Sequence, residues 1–549
     1  METKRLALYA ALVFVGFTLW NHWQQSHAPQ QIAPTQTVLT HQMKQTAHTA
    51  AAHAPTQFAN TKTADSKTVS TTPAEKHDII HVKTDVLDVT IDRIGGNIVR
   101  ANLLKYPKKL HGTQAFSLLN NQAHKRYIAQ TGIIDKKGAE ERVFSSAKTS
   151  YQLAPNAKSL SVDLTWQNPN GLAVVKRYTF TRDRYVVNVD YQLANRSSAA
   201  WQGQLYSQLS REWPIPTAKK KGFMQSMATF TGAALSTAEK PYKKRSFKAL
   251  AKEDVNTVSK GGWVAMIEQY FVSAWIPNAK QDNHFYSQVN DNLYTVGALT
   301  PTVKLAAGAK ASEGFKLYVG PEINERLKAA APHLNLTIDF GWLWFISMAI
   351  LWLLNKVHWF LGNWGWSIVI VTFLIKLMFY KLSATSYRSM ANMRKIQPKL
   401  DILKKRYGDD KQRFSKEMMG LYKKEKVNPL GGCLPMIAQI PVFIALYWVL
   451  LYSVQFRQAP FMLWIHDLAA PDPYYILPLL MGASMLLQTK LSPQSPDPAQ
   501  AKVMMLMPVI FTFFFLHFPA GLVLYWTVNN ILSILQQWYI MRQVDKQRK

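Results

Sequence analysis

The chain has 549 residues, 48% of them hydrophobic, and a formal net charge of +31, and this length exceeds that of a single domain. Its single cysteine, Cys433, excludes an intramolecular disulfide bond and a cysteine-based zinc site. The basic residues are dispersed, and their densest cluster lies between apolar runs. The charge therefore indicates membrane topology rather than sequence-specific binding of nucleic acid.

Residues 1–23 are predicted to form an N-terminal transmembrane anchor, because two basic residues precede an apolar run that ends in an aromatic belt at Trp20 and Trp23. The run resembles a signal peptide, but no A-x-A cleavage motif closes it. We therefore expect an uncleaved anchor with a cytoplasmic N-terminus. Residues 24–77 are rich in Gln, Ala, Thr, His and Pro without an apolar period, which predicts a flexible periplasmic tether.

From residue 78 the hydrophobic pattern has a period of two. Apolar and polar side chains alternate over 87–92, 160–166 and 185–191, and Gly95-Gly96 predicts a turn. Residues 78–332 are thus predicted to form a large periplasmic antiparallel β-sandwich that ends in a short helix. Its acidic and histidine residues show no catalytic spacing, so a binding or spacer role is favoured over an enzyme.

The segment 337–362 is dense in tryptophan, which favours an amphipathic helix lying on the periplasmic surface of the membrane. The alternative, a second true span, would invert the topology of everything that follows. The distribution of lysine argues against that alternative, because residues 381–426 hold fourteen Lys or Arg against five Asp or Glu and should therefore be cytoplasmic.

Residues 385–426 are predicted to form a cytoplasmic helical hairpin, broken at the sequence Gly-Asp-Asp near residue 409. Each helix carries an apolar stripe beside a basic face. A passive topology signal is the alternative, but two long helices exceed what topology requires, and a docking element is favoured. The candidate docking residues are Arg394, Lys395, Lys404 and Lys405.

The membrane core is predicted over residues 363–541, with a basic cytoplasmic tail at 542–549. The tail and the lysines around the last cytoplasmic loop agree with a cytoplasmic C-terminus. The expected spans are about 364–384, 431–453, 473–489, 503–518 and 520–540.

Lys376 lies in the apolar run GWSIVIVTFLIKLMFY, ten residues after Trp366. A helix rises about 1.5 Å per residue, so the lysine lies about 15 Å deep, near the middle of the apolar core. A charge at that depth costs several kcal/mol and lines a wet cavity or meets a partner. The alternative is a lysine that snorkels to the inner headgroups.

Polar side chains recur on the other spans, and the set predicts a shared hydrophilic groove around the lysine. For any single member, a hydrogen bond between neighbouring helices is the alternative explanation. The predicted lining residues are Thr372, Gln439, Ser484, Gln488, Thr512, Asn529 and Asn530.

These residues favour a passive groove that eases polar segments across the membrane. No paired acid and base, nucleotide-binding loop or catalytic triad is apparent in the sequence, so an enzyme is not expected. Two other classes stay open: a periplasmic ligand-binding module anchored by the spans, and a lipid or peptide transporter. The transporter is weakened by missing coupling residues and missing inverted repeats.

Several segments resemble the YidC/Oxa/Alb family of membrane protein insertases, and the β domain after an anchor resembles its Gram-negative bacterial form. The matching stretches are GDDKQRFSKEMMGLYKKEKVNP (408–429), NPLGGCLPMIAQIPVFIALYWVL (428–450), RQAPFMLWIHDL (457–468), DPYYILPLLMG (472–482) and MPVIFTFFFLHFPAGLVLYWTVNNILSILQQ (507–537). The likeness is specific from about residue 337 onward.

The resemblance implies a multi-domain membrane protein of the inner membrane. Its parts would be an N-terminal anchor, a periplasmic antiparallel β-sandwich of the supersandwich type, and a five-helix α-helical insertase core with a cytoplasmic hairpin. The implied function is the insertion, folding and assembly of membrane proteins, alone or with the Sec translocon. Neither an enzymatic activity nor a cofactor or metal is expected.

The resemblance also implies partners: nascent membrane proteins, Sec translocon components, a ribosome or targeting receptor at the hairpin, and membrane lipids. An incoming apolar segment is expected to slide along contacts at Phe443, Tyr525 and Trp526. The family pattern T-F-x-x-R is here Thr372-Phe373-Leu374-Ile375-Lys376, so the charge is kept while the bidentate fork of arginine is lost. His517 and Ala520 depart from the family's F-x-W-F-P-S-G hairpin.

Overall fold

The computed structural model describes residues 79–546. The gaps in this range are residue 137, 140–141, 169–170, 214–229, 408–409, residue 426, 428–433 and 493–497. The predicted anchor (1–23), the tether (24–77) and Cys433 therefore lie outside the described residues.

Two β-sheets form the first domain, and within the described residues every strand pair is antiparallel except that of β1 with β7. The first sheet runs β14-β17-β18-β11-β5-β3-β2-β1-β7, with β19 paired to β11 and β4 to β3. Its strands are Ile79–Lys83 (β1), Leu87–Asp92 (β2), Asn97–Pro107 (β3), Ala115–Leu119 (β4), Tyr127–Asp135 (β5), Ser150–Gln152 (β7), Trp201–Glu212 (β11), Asn256–Lys260 (β14), Asp282–Asn290 (β17), Leu293–Leu299 (β18) and Val303–Leu305 (β19).

The second sheet runs β13-β12-β15-β16-β20-β10-β9-β8-β6. Its strands are Ser145–Ser146 (β6), Ser159–Gln167 (β8), Leu172–Thr181 (β9), Val186–Asn195 (β10), Gly232–Ser236 (β12), Lys243–Ser246 (β13), Trp263–Glu268 (β15), Phe271–Ile276 (β16) and Lys310–Pro321 (β20). A short helix, Phe247–Leu250 (α1), follows β13.

The alternation in the sequence explains the sandwich, because inward side chains of both sheets form one core. Val187, Val189 and Tyr191 of β10 are buried, while the residues between them are only partly covered. The turn after β2 uses Gly95 and Gly96 at positive φ, where a side chain is disfavoured. The predicted antiparallel β-sandwich followed by a helical region is confirmed.

The core of the sandwich contains a fully buried cation, Lys176 of β9. Its ammonium group donates three hydrogen bonds to backbone carbonyl oxygens, which matches its three N–H donors. Three aromatic rings lie within 6 Å of the nitrogen and add cation–π attraction. The acceptors are Gly95 O (3.0 Å), Gly96 O (2.7 Å) and Thr131 O (2.9 Å), and the rings are Phe144, Tyr178 and Tyr191.

Lys176→Met should destabilise the β domain by roughly 3 kcal/mol, because it removes three hydrogen bonds of a charged donor to backbone carbonyl oxygens in the core, of which Gly96 O alone keeps a side-chain donor, the Tyr178 hydroxyl. Thermal unfolding of the full-length protein, followed by intrinsic fluorescence, measures the effect. Lys310→Met, an exposed lysine of β20, is the matched control and should change stability by less than about 0.5 kcal/mol. Equal midpoints of thermal unfolding for the two variants would contradict the proposed stabilising role of Lys176 and the carbonyl groups around it.

The helices that follow form the second part of the chain. In chain order they are Asn324–Ala330 (α2), Trp344–Leu361 (α3), Trp364–Met378 (α4), Tyr380–Tyr407 (α5), Lys411–Lys424 (α6), Leu434–Tyr452 (α7), Ile476–Leu491 (α8), Pro498–Phe515 (α9) and Ala520–Lys546 (α10). Short 3-10 turns, Leu334–Thr337, Gly341–Leu343 and Val454–Phe456, connect some of them.

Within the described residues, Gly341–Leu361 is the one unbroken helical segment long and apolar enough to cross a membrane. Trp364–Met378 and Tyr380–Tyr407 meet the same criterion as a pair, although they are bent by 68°. Shorter apolar helices are Ala438–Tyr452, Ile476–Leu491 and Ala501–Phe515.

Helix α4 ends at Met378, six residues before the predicted end of the first core span at 384. The chain bends there because residues 380–384 begin the amphipathic helix α5. After the bend, Ala384 and Tyr387 of α5 are buried against Ile540 of α10, a contact that an extension of α4 along its own axis would not give. The segment predicted as a span at about 364–384 therefore contains a bend after Met378.

Other boundaries also differ from the sequence analysis. The helix predicted at 337–362 begins only at Trp344, since 3-10 turns occupy the residues before it. Residues 542–546, predicted as part of the tail, continue α10. The span predicted at 503–518 begins earlier, at Pro498.

Helices α5 and α6 form the hairpin, and Asp410 caps the start of α6 by accepting bonds from Gln412 N and Arg413 N. Their apolar stripes face each other: Ile396 and Leu400 of α5 bury Tyr422 of α6. The stripes therefore hold the two helices together, and the docking surface expected from the sequence reduces to the basic faces.

The β domain rests on the segment between α7 and α8. Arg457 Nη2 donates to Pro107 O at 2.8 Å, and its guanidinium lies 5.8 Å from the ring of Phe271. On another side, Lys244 of β13 pairs with Asp339, just before α3. Polar contacts at two separate points therefore fix the β domain against the helical part.

A buried carboxyl group, Glu322, lies at this junction, directly after β20. Burial raises its pKa to about 8, and a hydrogen bond with Thr337 and the nearby Lys244 only partly oppose that shift. One carboxyl oxygen, Oε1, has no hydrogen-bond partner among the described residues. The group is therefore protonated in the folded protein at neutral pH.

Glu322→Gln should flatten the pH dependence of stability. The pKa of Glu322 is about 8 in the folded protein, against an ordinary value of 4.5. Between these two pH values the folded protein keeps a proton that the unfolded chain has lost. The stability of the folded state therefore falls as pH rises through this window. Thermal unfolding of the full-length protein from pH 5 to 9 should show the variant gaining stability relative to the wild type as pH rises from 5 to about 8, with no further gain above pH 8. Glu325→Gln, an exposed neighbour, is the control, and parallel curves for all three proteins would refute the assignment.

Candidate functional site: a polar stripe and an underpaired lysine

Helix α10 carries a stripe of buried polar side chains at helical spacing. Thr527, Asn530, Ser533 and Gln537 are each at most 6% exposed. The spacing of three, three and four residues places them on one face of the helix over about 15 Å. We call these four residues the α10 polar stripe, and it contacts α4 at Ser533 and α8 at Asn530.

Lys376 of α4 meets this stripe directly. Its Nζ donates to Ser533 Oγ at 2.7 Å, and the residue is 7% exposed. Ser533 Oγ in turn donates to the carbonyl oxygen of Asn529 at 2.7 Å, so its proton is already used. The described residues include no acidic group paired with Lys376.

An ammonium group has three N–H donors. In the part of the chain that the structure describes, Ser533 is the one hydrogen-bond acceptor of Lys376. Two donors of a buried cation therefore stay without a protein partner, a costly arrangement in an apolar setting. This incomplete pairing distinguishes Lys376 from the fully caged Lys176.

One turn before Ser533, the stripe meets α8. Asn530 Nδ2 donates to Ser484 Oγ at 3.0 Å, and Ser484 Oγ donates to Met481 O at 2.6 Å. Asn530 and Ser533 are three residues apart, so the two interhelical contacts lie on the same side of α10. The structure thus brings together three predicted site residues, Lys376, Ser484 and Asn530.

The remaining predicted lining residues are less directly joined to this group. Thr372 is buried and donates to Ile368 O of its own helix at 2.6 Å. Thr512 likewise donates to Pro508 O at 2.7 Å, and its hydroxyl lies against Gly482, where a Cβ would clash with it. Gln439, Gln488 and Asn529 are partly buried.

The three predicted slide contacts form one aromatic cluster between α7 and α10. The ring of Phe443 lies 4.5 Å from that of Trp526, edge to face, and 6.3 Å from that of Tyr525. Tyr525 is only 3% exposed, whereas Phe443 and Trp526 are partly exposed. Tyr525 therefore supports the cluster from inside, and the expectation of a direct surface contact at this residue does not fit the structure.

At the end of the core nearest the hairpin, two side chains converge on the last carbonyl of α8. Gln537 Nε2 donates to Leu491 O at 3.0 Å, and Arg394 of the hairpin donates to the same oxygen. Arg394 thus joins the hairpin to the core. Of the four predicted docking residues, Lys395, Lys404 and Lys405 present exposed side chains that make no hydrogen bond or ion pair with the described residues.

Sequence reasoning missed Ser533, Thr527 and Gln537. Their signal was available, because polar residues at positions 527, 530, 533 and 537 follow the helical period inside an apolar run. When polar residues are considered one span at a time, as single lining positions, their continuous row along α10 is missed. No group of three or more metal-binding side chains occurs among the described residues.

Comparison with known proteins agrees with this architecture. Residues 79–353 match the family model described as YidC periplasmic domain, and residues 356–547 match that of the 60Kd inner membrane protein. A relative from Coxiella burnetii (strain Dugway 5J108-111), named Membrane protein insertase YidC, is 47% identical over 562 residues, covering 100% of this chain and 98% of its own. The chain belongs to the YidC family of membrane protein insertases.

A second YidC relative, from Legionella pneumophila (strain Corby), is 46% identical over 554 residues, covering 100% of this chain and 98% of its own. A crystal structure of an active YidC insertase with its first transmembrane domain resolved covers 85% of this chain and 93% of its own, at 18% identity and a TM-score of 0.39. The family resemblance drawn from the sequence motifs is confirmed.

Membership in the YidC family identifies a protein of the inner membrane whose β-sandwich is a periplasmic domain. It also confirms the function expected from the motifs, that of a membrane protein insertase. The family is named for insertion rather than for a chemical reaction.

Proposed function

We propose that this protein inserts nascent membrane proteins into the inner membrane and assists their folding, without catalysing a chemical reaction. The observation that carries the proposal is the identity of 47% with a YidC insertase over the full length of the chain. We further propose that it acts alone or beside the Sec translocon, and that a ribosome or targeting receptor delivers the substrate at the hairpin.

The underpaired lysine suggests how the core lowers the barrier to insertion. A polar or acidic segment crossing an apolar region loses its hydration, at a cost of several kcal/mol. Lys376, with two donors unused by the described protein, offers that segment a positive charge and hydrogen bonds. We propose that short acidic tails pause beside Lys376 while an apolar segment partitions into lipid.

The topology that we propose places α4, α7, α8, α9 and α10 across the membrane, both termini in the cytoplasm, and α3 on the periplasmic surface. Helix α3 is about 27 Å long, yet it meets the later part of α7: Ser347 Oγ donates to Ala445 O at 3.1 Å, and Gly341 faces Trp448. Its other end stacks His358 on Trp364, which contacts Phe456 beyond α7. One end of α3 thus contacts the later part of α7, and the other end reaches, through Trp364, the residue Phe456 that follows α7. Because both ends of α3 lie near this same end of α7, we favour a helix that lies along the membrane surface.

Site-specific photocrosslinking during translation of a single-span substrate tests the proposed route. A crosslinking residue at Phe443 or Trp526, the partly exposed members of the aromatic cluster, should capture the nascent chain. Thr372 is buried between helices, so a crosslink from it requires α4 and α10 to separate during insertion. Phe513, exposed on α9, serves as the control. If neither aromatic position captures more nascent chain than Phe513 does, the route is wrong.

The role of Lys376 is tested by separating its charge from its shape. Lys376→Arg should keep activity, because the cation remains. Lys376→Ala should reduce insertion of an acidic-tailed substrate by roughly tenfold, since a cation in a low-dielectric site stabilises a nearby carboxylate by at least about 1–2 kcal/mol. A neutral-tailed substrate should be spared. Insertion is measured in reconstituted vesicles and normalised to the abundance of each variant; equal losses for both substrates would exclude the electrostatic role.

We expect the exposed basic face of the hairpin to bind the ribosome or targeting receptor that delivers the substrate. The triple variant Lys395→Ala, Lys404→Ala, Lys405→Ala should weaken co-sedimentation with ribosomes several-fold and leave protein abundance unchanged, because these side chains are exposed. Binding by the wild type should fall with added salt, as expected for contact with a polyanion. Arg394→Ala is the contrast: it removes a contact to the core and should lower abundance. Unchanged ribosome binding by the triple variant would reduce the hairpin to a topology signal.

A further inference from the structure

An open cavity of about 310 Å³ lies on the outside of the β domain, between the second sheet and helix α2. Paired strand positions form its floor: Val186 is opposite Tyr318, and Asn188 is opposite Lys316. Arg326 and the end of α2 form one wall, and Thr181 and Arg184, at the turn from β9 to β10, form another. The cavity is of a size that holds a small ligand group.

The charged residues that line the cavity are all cations. Its lining includes three cations, Arg184, Lys316 and Arg326, and two neutral hydrogen-bonding side chains, Thr181 and Asn188. No carboxylate is among the described lining residues. Such a set of donors suits an anion with several oxygen atoms.

Local contacts hold part of this set in place before any ligand arrives. Asp183 has a positive φ of 51° and its backbone N–H donates to Asp85 Oδ2 at 2.9 Å, which fixes the turn beside Arg184. Arg326 donates to both carboxylate oxygens of Asp183 and to its carbonyl oxygen, and its guanidinium lies 5.1 Å from the ring of Tyr185. Arg326 is therefore a fixed wall, whereas Arg184 and Lys316 are exposed side chains that form no ion pair with the described residues.

The cavity lies near the end of the β domain that contacts the helical part of the chain. The ring of Tyr185 in its lining is 6.5 Å from that of Tyr106, which is 5.4 Å from that of Phe271. Phe271 in turn contacts Arg457, which belongs to the segment between two helices of the membrane core. Helix α2, the wall of the cavity, leads through a 3-10 turn to α3. Two rings thus separate the cavity from the membrane domain.

We propose that this cavity binds a phosphate-bearing group, either the phosphodiester headgroup of an anionic phospholipid in the periplasmic leaflet or a free phosphate. Arg184 and Lys316 supply the charge that the ligand neutralises, and Thr181 and Asn188 supply neutral hydrogen bonds. A phosphate group fits better than a polypeptide, because the cavity is small and the charged residues that line it are all cations. The proposal does not depend on the insertase function.

The test uses full-length protein in nanodiscs of zwitterionic phosphatidylcholine, titrated by calorimetry with glycerophosphoglycerol and, separately, with inorganic phosphate. Wild-type protein should bind at least one of the two saturably. The double variant Arg184→Gln, Lys316→Gln should bind at least tenfold more weakly, and each single change should weaken binding several-fold. The matched control, Arg196→Gln with Lys280→Gln, removes two exposed cations elsewhere on the domain and should bind as the wild type does.

The two probes separate the sources of the group. Tighter binding of glycerophosphoglycerol than of phosphate identifies a lipid headgroup, and the reverse order identifies free phosphate. Absence of saturable binding for both probes overturns the proposal, as does equal weakening in the control variant. Saturable binding of an acidic peptide at this cavity, with no binding of either phosphate compound, would also overturn it. Unfolding temperatures of all variants, expected to be unchanged, show that the fold is intact.

Discussion

A polar group enclosed by apolar helices must find a hydrogen-bond partner, and this constraint organises the membrane core. Helix α10 satisfies this constraint with a stripe of four buried polar residues. Through these residues it contacts Lys376 on α4 and, on α8, both Ser484 and the last carbonyl group, that of Leu491. The bend after Met378 belongs to the same arrangement, because it turns the hairpin so that Tyr387 and Ala384 pack on α10. The central position of α10 thus follows from its polar side chains as much as from its apolar ones.

The periplasmic domain is joined to this core by a few polar contacts rather than by a flexible link alone. Arg457 hydrogen-bonds to Pro107 and Lys244 pairs with Asp339, so the sandwich is held at one point between α7 and α8 and at a second point just before α3. The buried Glu322 lies beside the second point and is protonated in the folded state at neutral pH. The junction therefore combines fixed contacts with one proton-sensitive group, and the cationic cavity opens close to it.

Much of this structure follows from local sequence patterns, and the exceptions have physical reasons. The sandwich could be predicted because alternation is a local signal that each strand carries by itself. The bend at Met378 could not, because it is set by the fit of α5 against α10, some 150 residues later in the chain. The apolar stripes of the hairpin could be found in the sequence, but an apolar stripe indicates only that some partner covers it. The structure shows that the partner of Ile396 and Leu400 is Tyr422 of the other helix. At the candidate site, Lys376, Ser484 and Asn530 could be found as single polar residues, whereas the partner Ser533 emerged only from the packing.

The two buried lysines among the described residues show why burial alone does not mark function. Lys176 lies in phase with the inward residues of β9, and the fold satisfies it completely with three carbonyl oxygens and three aromatic rings. A ligand could gain nothing there, because the ammonium group has no donor left to offer. Lys376 is nearly as buried but has a single hydroxyl as acceptor among the described residues, and so the cost of its burial is not recovered within the chain. An anionic segment that passes Lys376 can lower the free energy of the buried cation by pairing with it. A groove for insertion requires this property, because the passing segment is itself stabilised there.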